Sequence, residues 1–230
     1  MTDDFYAKLN DPEAPLAVSL ADEGAPLLIA FAGFAGGLGI RPAEFFELTR
    51  DINASRIFMR DVQKLWYQKG VVGVADDMDG MASYLAGKTD ELKPSRAVMV
   101  GNSAGGFAAI VMAILLGTGR VIAFAPQTFI DRAHRFVHRD KRCRDLFKNV
   151  HRTPGKRYVD VKPLLRERTP SCEIDIYYSL LDRLDRLHAE RLSFASCIRT
   201  HAVGEGGHGI IKHMAGTGEL ARLVGEALKA

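Results

Sequence analysis

The stretch "VMVGNSAGGFAAIV" (98–111) passes from apolar residues into a cluster of glycine and alanine around one serine, then back into apolar residues. "RAVMVG" (96–101) is typical of a short buried strand, and "AGGFAAIVMAILLG" (104–117) is long enough for a buried helix. Gly101-Asn102-Ser103-Ala104-Gly105 therefore places the pattern G-x-S-x-G at a strand-to-helix junction. Since only small side chains fit around so sharp a turn, the pattern predicts that the turn exposes Ser103.

Strands and helices are predicted to alternate on both sides of this junction. The predicted strands cover 26–33, 55–61, 96–101, 120–126, 173–179 and 197–203, and the predicted helices cover 41–50, 76–92, 104–117, 186–195 and 217–230. Such alternation predicts an α/β fold with a mostly parallel central sheet and helices on both faces. A chain of 230 residues fits one domain, 1–230. The alternation breaks over about 127–170, which we interpret as a cap-like insertion.

Composition excludes several classes of protein. With 47% hydrophobic and 26% charged residues, the chain is of ordinary globular composition, and no apolar run approaches the roughly 20 residues of a membrane helix. The opening "MTDDFYAKLN" has acids where a secretory signal has basic residues, so we predict a cytoplasmic protein without a membrane partner. The cysteines show no CxxC spacing, and the histidines and acids do not fall at helical ligand spacing. We expect no metal and no cofactor.

A serine at such a turn needs a base, and the acid and the histidine are expected to follow it in chain order. His208 lies in the glycine-rich "VGEGGHGI", after the strand predicted over 197–203. For the acid, Asp182 is the first choice, because it falls just past the end of a predicted strand and could reach an imidazole. Asp185 is the second choice, and its alternative role is to cap the helix that follows.

An acyl-transfer site also needs N–H donors for a developing oxyanion. The first is expected from Ala104, directly after the serine. The second is expected from the loop "FAGFAGG" (31–37), where we choose Phe34 and expect Gly33 to let the backbone approach.

Together, these residues resemble the α/β-hydrolase fold superfamily: strand, glycine-rich loop, G-x-S-x-G turn, aspartate and late histidine in that order, over most of 25–230. "AFAPQTF" and "RLDRLHAERL" are also similar to segments of poorly characterised bacterial members. The resemblance implies a serine esterase in which Ser103 attacks an acyl carbonyl, His208 takes its proton and Asp182 holds the imidazole. One departure is that the loop reads Ala32-Gly33-Phe34 where many relatives have His-Gly.

The insertion is strongly basic, with 13 Lys and Arg against five Asp and Glu in a chain of net charge +3. We therefore expect a small-molecule acyl substrate, with a preference for anionic ones. Nucleic acid is not expected, because few aromatic residues alternate with the basic ones. Two alternatives stay open: a hydrolase-like protein that binds without catalysis, and an acyltransferase that uses the same residues.

Overall fold

The fold is built on one sheet of seven strands. The computed structural model describes residues 1–168 and 171–229. The strands are Leu16–Ser19 (β1), Leu27–Phe31 (β2), Ser55–Met59 (β3), Ala97–Asn102 (β4), Arg120–Phe124 (β5), Glu173–Ser179 (β6) and Ile198–Val203 (β7). Their order is β1-β3-β2-β4-β5-β6-β7, with β1 antiparallel to β3 and every other pair parallel. The predicted mostly parallel sheet is confirmed.

Helices connect these strands. They are Asp3–Asn10 (α1), Pro42–Glu47 (α2), Met78–Leu92 (α3), Ala104–Leu116 (α4), Arg132–Val137 (α5), Arg144–Arg152 (α6), Val161–Glu167 (α7), Arg183–Glu190 (α8), Ile210–Gly216 (α9) and Glu219–Lys229 (α10). In the described part of the chain, no helix is both long and apolar enough to pass through a membrane. Strand β1 and helices α1 and α9 add to the elements predicted from the pattern.

Alternate residues of each central strand pack into two separate hydrophobic cores, one on each face of the sheet. In β2, Leu27, Ile29 and Phe31 face the core that includes α3 and α4, whereas Leu28 and Ala30 face the core that includes α2, α9 and α10. A strand that is buried on both faces needs an unbroken apolar run, which is what β2, β4 and β5 provide. The prediction of helices on both faces is therefore confirmed.

The described part of the insertion (127–170) holds three short helices, α5, α6 and α7, although its polar sequence predicted no elements. Asp131 and Asp160 cap α5 and α7 by accepting hydrogen bonds from the backbone N–H groups of His134 and Lys162. Helix α7 packs on α4, so α4 is covered on the side away from the sheet. This covering explains why Ala104 to Ile114 are all buried.

Candidate active site

Ser103 occupies a tight turn between β4 and α4. Its backbone has φ 54° and ψ −114°, a region that side-chain-bearing residues rarely adopt. The turn closes because its neighbours are glycines: a Cβ on Gly101 would collide with the backbone of Gly105, and one on Gly105 with the carbonyl of Phe31. The structure thus presents the Ser103 side chain at the carboxyl edge of the sheet, next to the point where the chain switches from β3 to β4 across β2.

His208 faces Ser103 from the other side of this edge. It lies in a short 3-10 turn, Gly207–Gly209, that follows β7, and its Nε2 is 3.2 Å from Ser103 Oγ. Its Nδ1 is 2.8 Å from Oδ2 of Asp185 and 3.0 Å from Oδ1. Because a carboxylate can only accept, the imidazole proton belongs on Nδ1. The Nε2 lone pair then faces the Ser103 hydroxyl and can accept its proton.

Of the two candidate acids, the structure brings Asp185, and not Asp182, into hydrogen-bond contact with His208. Asp182 is the N-cap of α8, and its Oδ1 accepts from the N–H groups of Leu184 and Asp185 at 2.9 and 3.0 Å. Asp185, three residues on, is fully buried and contacts His208. The two aspartates differ because α8 begins before its predicted start at 186. Asp182 is therefore the N-cap, and Asp185 lies in the first turn and faces inward.

Arg142 of the insertion also contacts Asp185, and no sequence pattern singled it out. Its Nη1 is 2.6 Å from Oδ1 of Asp185. The guanidinium also holds Asp140 at two positions, through Nε at 3.2 Å and Nη2 at 3.0 Å. Burial opposes the charge of Arg142, but the carboxylates of Asp140 and Asp185 outweigh it and raise the Arg142 pKa. A cation from the insertion therefore lies against the carboxylate that contacts His208.

The predicted oxyanion donors lie on elements that meet beside Ser103. Ala104 begins α4, so its N–H has no acceptor within the helix. Phe34 lies in the turn after β2, and within the described residues its N–H donates no backbone hydrogen bond. The two elements are close, since a Cβ on Gly33 would approach the Asn102 carbonyl oxygen to 3.1 Å. Both N–H groups are free to bind a ligand oxygen, and whether they do so stays a prediction.

Arg60 fixes the loop that carries Phe34. Its guanidinium donates to the carbonyl oxygens of Gly36 at 3.0 Å, Leu9 at 3.1 Å, Asp11 at 2.8 Å, and Ala14. Burial lowers the pKa of Arg60. One side chain thereby ties the N-terminal segment to the loop.

Aromatic rings connect the loop to the insertion. The ring of Phe34 packs edge-on against Trp66, with centroids 4.3 Å apart, and Trp66 packs on Phe147 of α6 at 4.0 Å. Trp66 is fixed by its Nε1–H, which donates to Gln127 Oε1 at 2.8 Å. The loop that carries Phe34 and the insertion are therefore in contact through aromatic rings.

A cavity of about 740 Å³ lies within the insertion on the far side of this aromatic contact. Its lining is mostly cationic and comprises Arg135, Phe136, Val137, Arg139, Asp140, Lys141, Arg144, Phe147, Lys148 and His151. Its single acid, Asp140, is already paired with Arg142 and Arg135. Ser103 does not line this cavity, so the cavity is separate from the serine.

Two groups of His and Asp side chains are close enough to share a metal ion, among the residues described. One is Asp182, Asp185 and His208. The other is Asp131, His134 and Asp160, but there His134 Nδ1 pairs with Asp131 at 2.8 Å and Arg191 binds both oxygens of Asp160. In this second group, the carboxylate oxygens are thus already bound by protein cations and N–H groups.

Comparison with known proteins identifies the fold. No protein-family model matches the sequence, and no curated protein matches it. Among solved structures, Est1E from Butyrivibrio proteoclasticus superposes with a TM-score of 0.57 at 14% identity, covering 96% of this chain and 98% of Est1E. MGS-MChE2, an α/β hydrolase from a lagoon-sediment metagenome, gives 0.57 at 15% identity, covering 93% and 94%. The meta-cleavage product hydrolase from Pseudomonas fluorescens IP01 gives 0.58 at 17% identity, covering 93% and 94%.

These matches span nearly the whole of both chains. The protein has the α/β-hydrolase fold. At such low identity the likeness concerns the fold, and function must be argued from the site itself.

Proposed function

We propose that the chain is a serine hydrolase that cleaves a carboxylic ester through an acyl-enzyme on Ser103. One observation carries the proposal: a serine on strained backbone contacts an imidazole, and a buried carboxylate holds the other nitrogen of that imidazole. Strained backbone of the kind found at Ser103 is concentrated at functional sites, and these three groups meet around it. They do match the requirements of a nucleophile, its base and the group that orients the base.

The reaction follows from the atoms in place. Ser103 Oγ attacks the acyl carbonyl while His208 Nε2 accepts the hydroxyl proton, and Asp185 holds the Nδ1–H. The N–H groups of Phe34 and Ala104 bind the oxyanion of the tetrahedral intermediate. His208 Nε2–H then protonates the leaving alkoxide as the acyl-enzyme forms. Water, deprotonated by the same nitrogen, releases the acid and restores the serine hydroxyl. If an acceptor alcohol displaced water, the same steps would describe an acyltransferase.

The first test is labelling of the purified protein by a fluorophosphonate probe, which reacts only with an activated serine. We expect stoichiometric labelling of the wild type and none of Ser103→Ala. Ser83→Ala is the matched control, because Ser83 is exposed on α3 and its hydroxyl donates only to the carbonyl of Asp79. A folded wild-type protein that took no label would instead favour the hydrolase-like binding protein.

We further propose that the substrate is anionic, because the insertion holds a cationic cavity whose charge would attract anions towards the neighbouring site without contacting the reacting group. Arg139, Lys141 and Arg144 line it without an acidic partner among the described residues. A cavity wall with one sign of charge raises the local concentration of ligands of the opposite sign. Such attraction is screened by salt over about 8 Å at physiological ionic strength.

The salt dependence of kcat/KM tests this preference. Between about 20 and about 500 mM NaCl, we expect kcat/KM for p-nitrophenyl hemisuccinate, an anion, to fall about tenfold, and that for neutral p-nitrophenyl acetate to stay within about twofold. The double variant Arg139→Gln/Lys141→Gln should flatten the first dependence. Arg132→Gln/Arg152→Gln removes the same charge from the same insertion outside the cavity and should change it less. Parallel salt dependences for the two esters would rule out the preference.

A further inference from the structure

Asp185 depends on a residue of the insertion for its orientation. Its side chain is fully buried, and Arg142 lies on it from outside the sheet domain. Among the described residues, the carboxylate accepts hydrogen bonds only from Arg142 and His208. A buried carboxylate with so few donors loses much of its stabilisation when either is removed. The same carboxylate must also point at His208 Nδ1, so whatever fixes it also fixes the imidazole.

Arg142 is itself rigidly held. Besides the two bonds that its guanidinium donates to Asp140, its backbone N–H donates to Asp140 Oδ1 at 2.9 Å, and its carbonyl accepts from Arg135 Nη2 at 2.6 Å. Burial opposes the ionisation of Asp140, but the hydrogen bonds from Arg142 and the nearby His188, whose Nε2 is 3.6 Å away, outweigh it and hold the Asp140 pKa well below its usual range. Asp140 is therefore a fixed anion that anchors the guanidinium.

Positive and negative side chains alternate along this cluster, in the order Arg135, Asp140, Arg142 and Asp185. An unpaired arginine beside Asp185 would compete with His208 for the negative charge that stabilises an imidazolium. Asp140 binds Arg142 through two parallel contacts, and it also lies 3.5 Å from Nη1 of Arg135. The guanidinium is thereby held in one geometry, from which it donates a directed hydrogen bond to Asp185.

We propose that Arg142 is a positioning residue of the site: it aims Asp185 at His208, so that catalytic competence requires the insertion to be docked on the domain. This inference rests on the proposed serine hydrolase function. It predicts that the geometry of the reacting groups depends on a residue that never touches substrate, and that a guanidinium fork is required rather than a positive charge alone.

The test measures how fast each folded variant reacts with the fluorophosphonate probe. We expect Arg142→Met to react about 100-fold more slowly than the wild type, the cost of a misplaced catalytic group. Arg142→Lys keeps the charge but cannot reach Asp140 and Asp185 with one fork, and it should also be slow. Guanidinium ion at about 50 mM, far too dilute to unfold a protein, should restore at least about tenfold of the lost rate in Arg142→Met.

Arg152→Met is the matched control, since Arg152 is an exposed arginine of the same insertion outside the cationic cavity; it should react at the wild-type rate with or without guanidinium. Should Arg142→Met fail to fold, Arg142→Lys decides. Wild-type labelling in either folded Arg142 variant would overturn the inference and leave the proposed function intact. An unlabelled wild type would overturn the function first. Slow labelling of folded Arg142→Met that guanidinium does not restore would also overturn the positioning role, because the defect would then not come from the missing guanidinium.

Discussion

Asp185→Asn is expected to lower kcat for p-nitrophenyl acetate by about 10⁴-fold, whereas Asp182→Asn should stay within about threefold of the wild type. An asparagine at 185 would direct its amide N–H at His208 Nδ1, which must then accept. The imidazole proton moves to Nε2, and no lone pair remains to take the proton of Ser103. The wrong tautomer, rather than a lost contact, causes the defect.

Asp182→Asn is an unusually clean control for this experiment. Asparagine is as good an N-cap as aspartate, so the hydrogen bonds to the start of α8 survive the change. Both variants remove one carboxylate from the same cluster and leave its shape intact. Far-UV circular dichroism and thermal melts would verify that both are folded. Loss of turnover in Asp182→Asn with retention in Asp185→Asn would show that Asp182 is the acid after all.

The second large effect is expected from Gly105→Ala, which should cost about 4 kcal/mol or more of unfolding free energy. Gly105 is in the first turn of α4, where a Cβ would overlap the carbonyl of Phe31 in β2 and approach that of Ala32. Relief requires α4 to move away from the sheet. That movement would carry the Ala104 N–H away from Phe34, so any folded fraction should also lose the proposed esterase activity.

Gly87→Ala provides the matched comparison. Gly87 lies inside helix α3, and a Cβ there would meet nothing within 4 Å. Since alanine favours a helix over glycine by about 0.8 kcal/mol, this variant should be slightly more stable than the wild type. Urea unfolding monitored by circular dichroism would measure both changes. Equal stability of the two variants would contradict the close contact between α4 and β2.

Different parts of the site could be predicted from the sequence to different degrees. The turn at Ser103 was recognisable because its steric demands are local: glycines at 101 and 105 sit beside one serine between apolar runs. His208 could be placed because it follows the last strand. Choosing between Asp182 and Asp185 required the start of α8 to be predicted to within three residues. Helix ends are the least certain part of a prediction from sequence.

The contribution of the insertion to the candidate site could not be predicted from the sequence, for a different reason. Its helices are short and polar, and the caps at Asp131 and Asp160 are signals that many turns share. The contact between Arg142 and Asp185 joins residues 43 positions apart. It depends on how the insertion docks, which no local periodicity encodes.

The backbone at Ser103 has an evolutionary consequence. A residue with a Cβ at φ 54° and ψ −114° is held at a cost of about 1–3 kcal/mol, which glycine would largely avoid. Selection for thermal stability alone would therefore replace this serine early. If Ser103 is the nucleophile, as proposed, a lineage that kept the fold but lost the reaction should change to glycine here first, and the residue at this position would then record whether the reaction is retained.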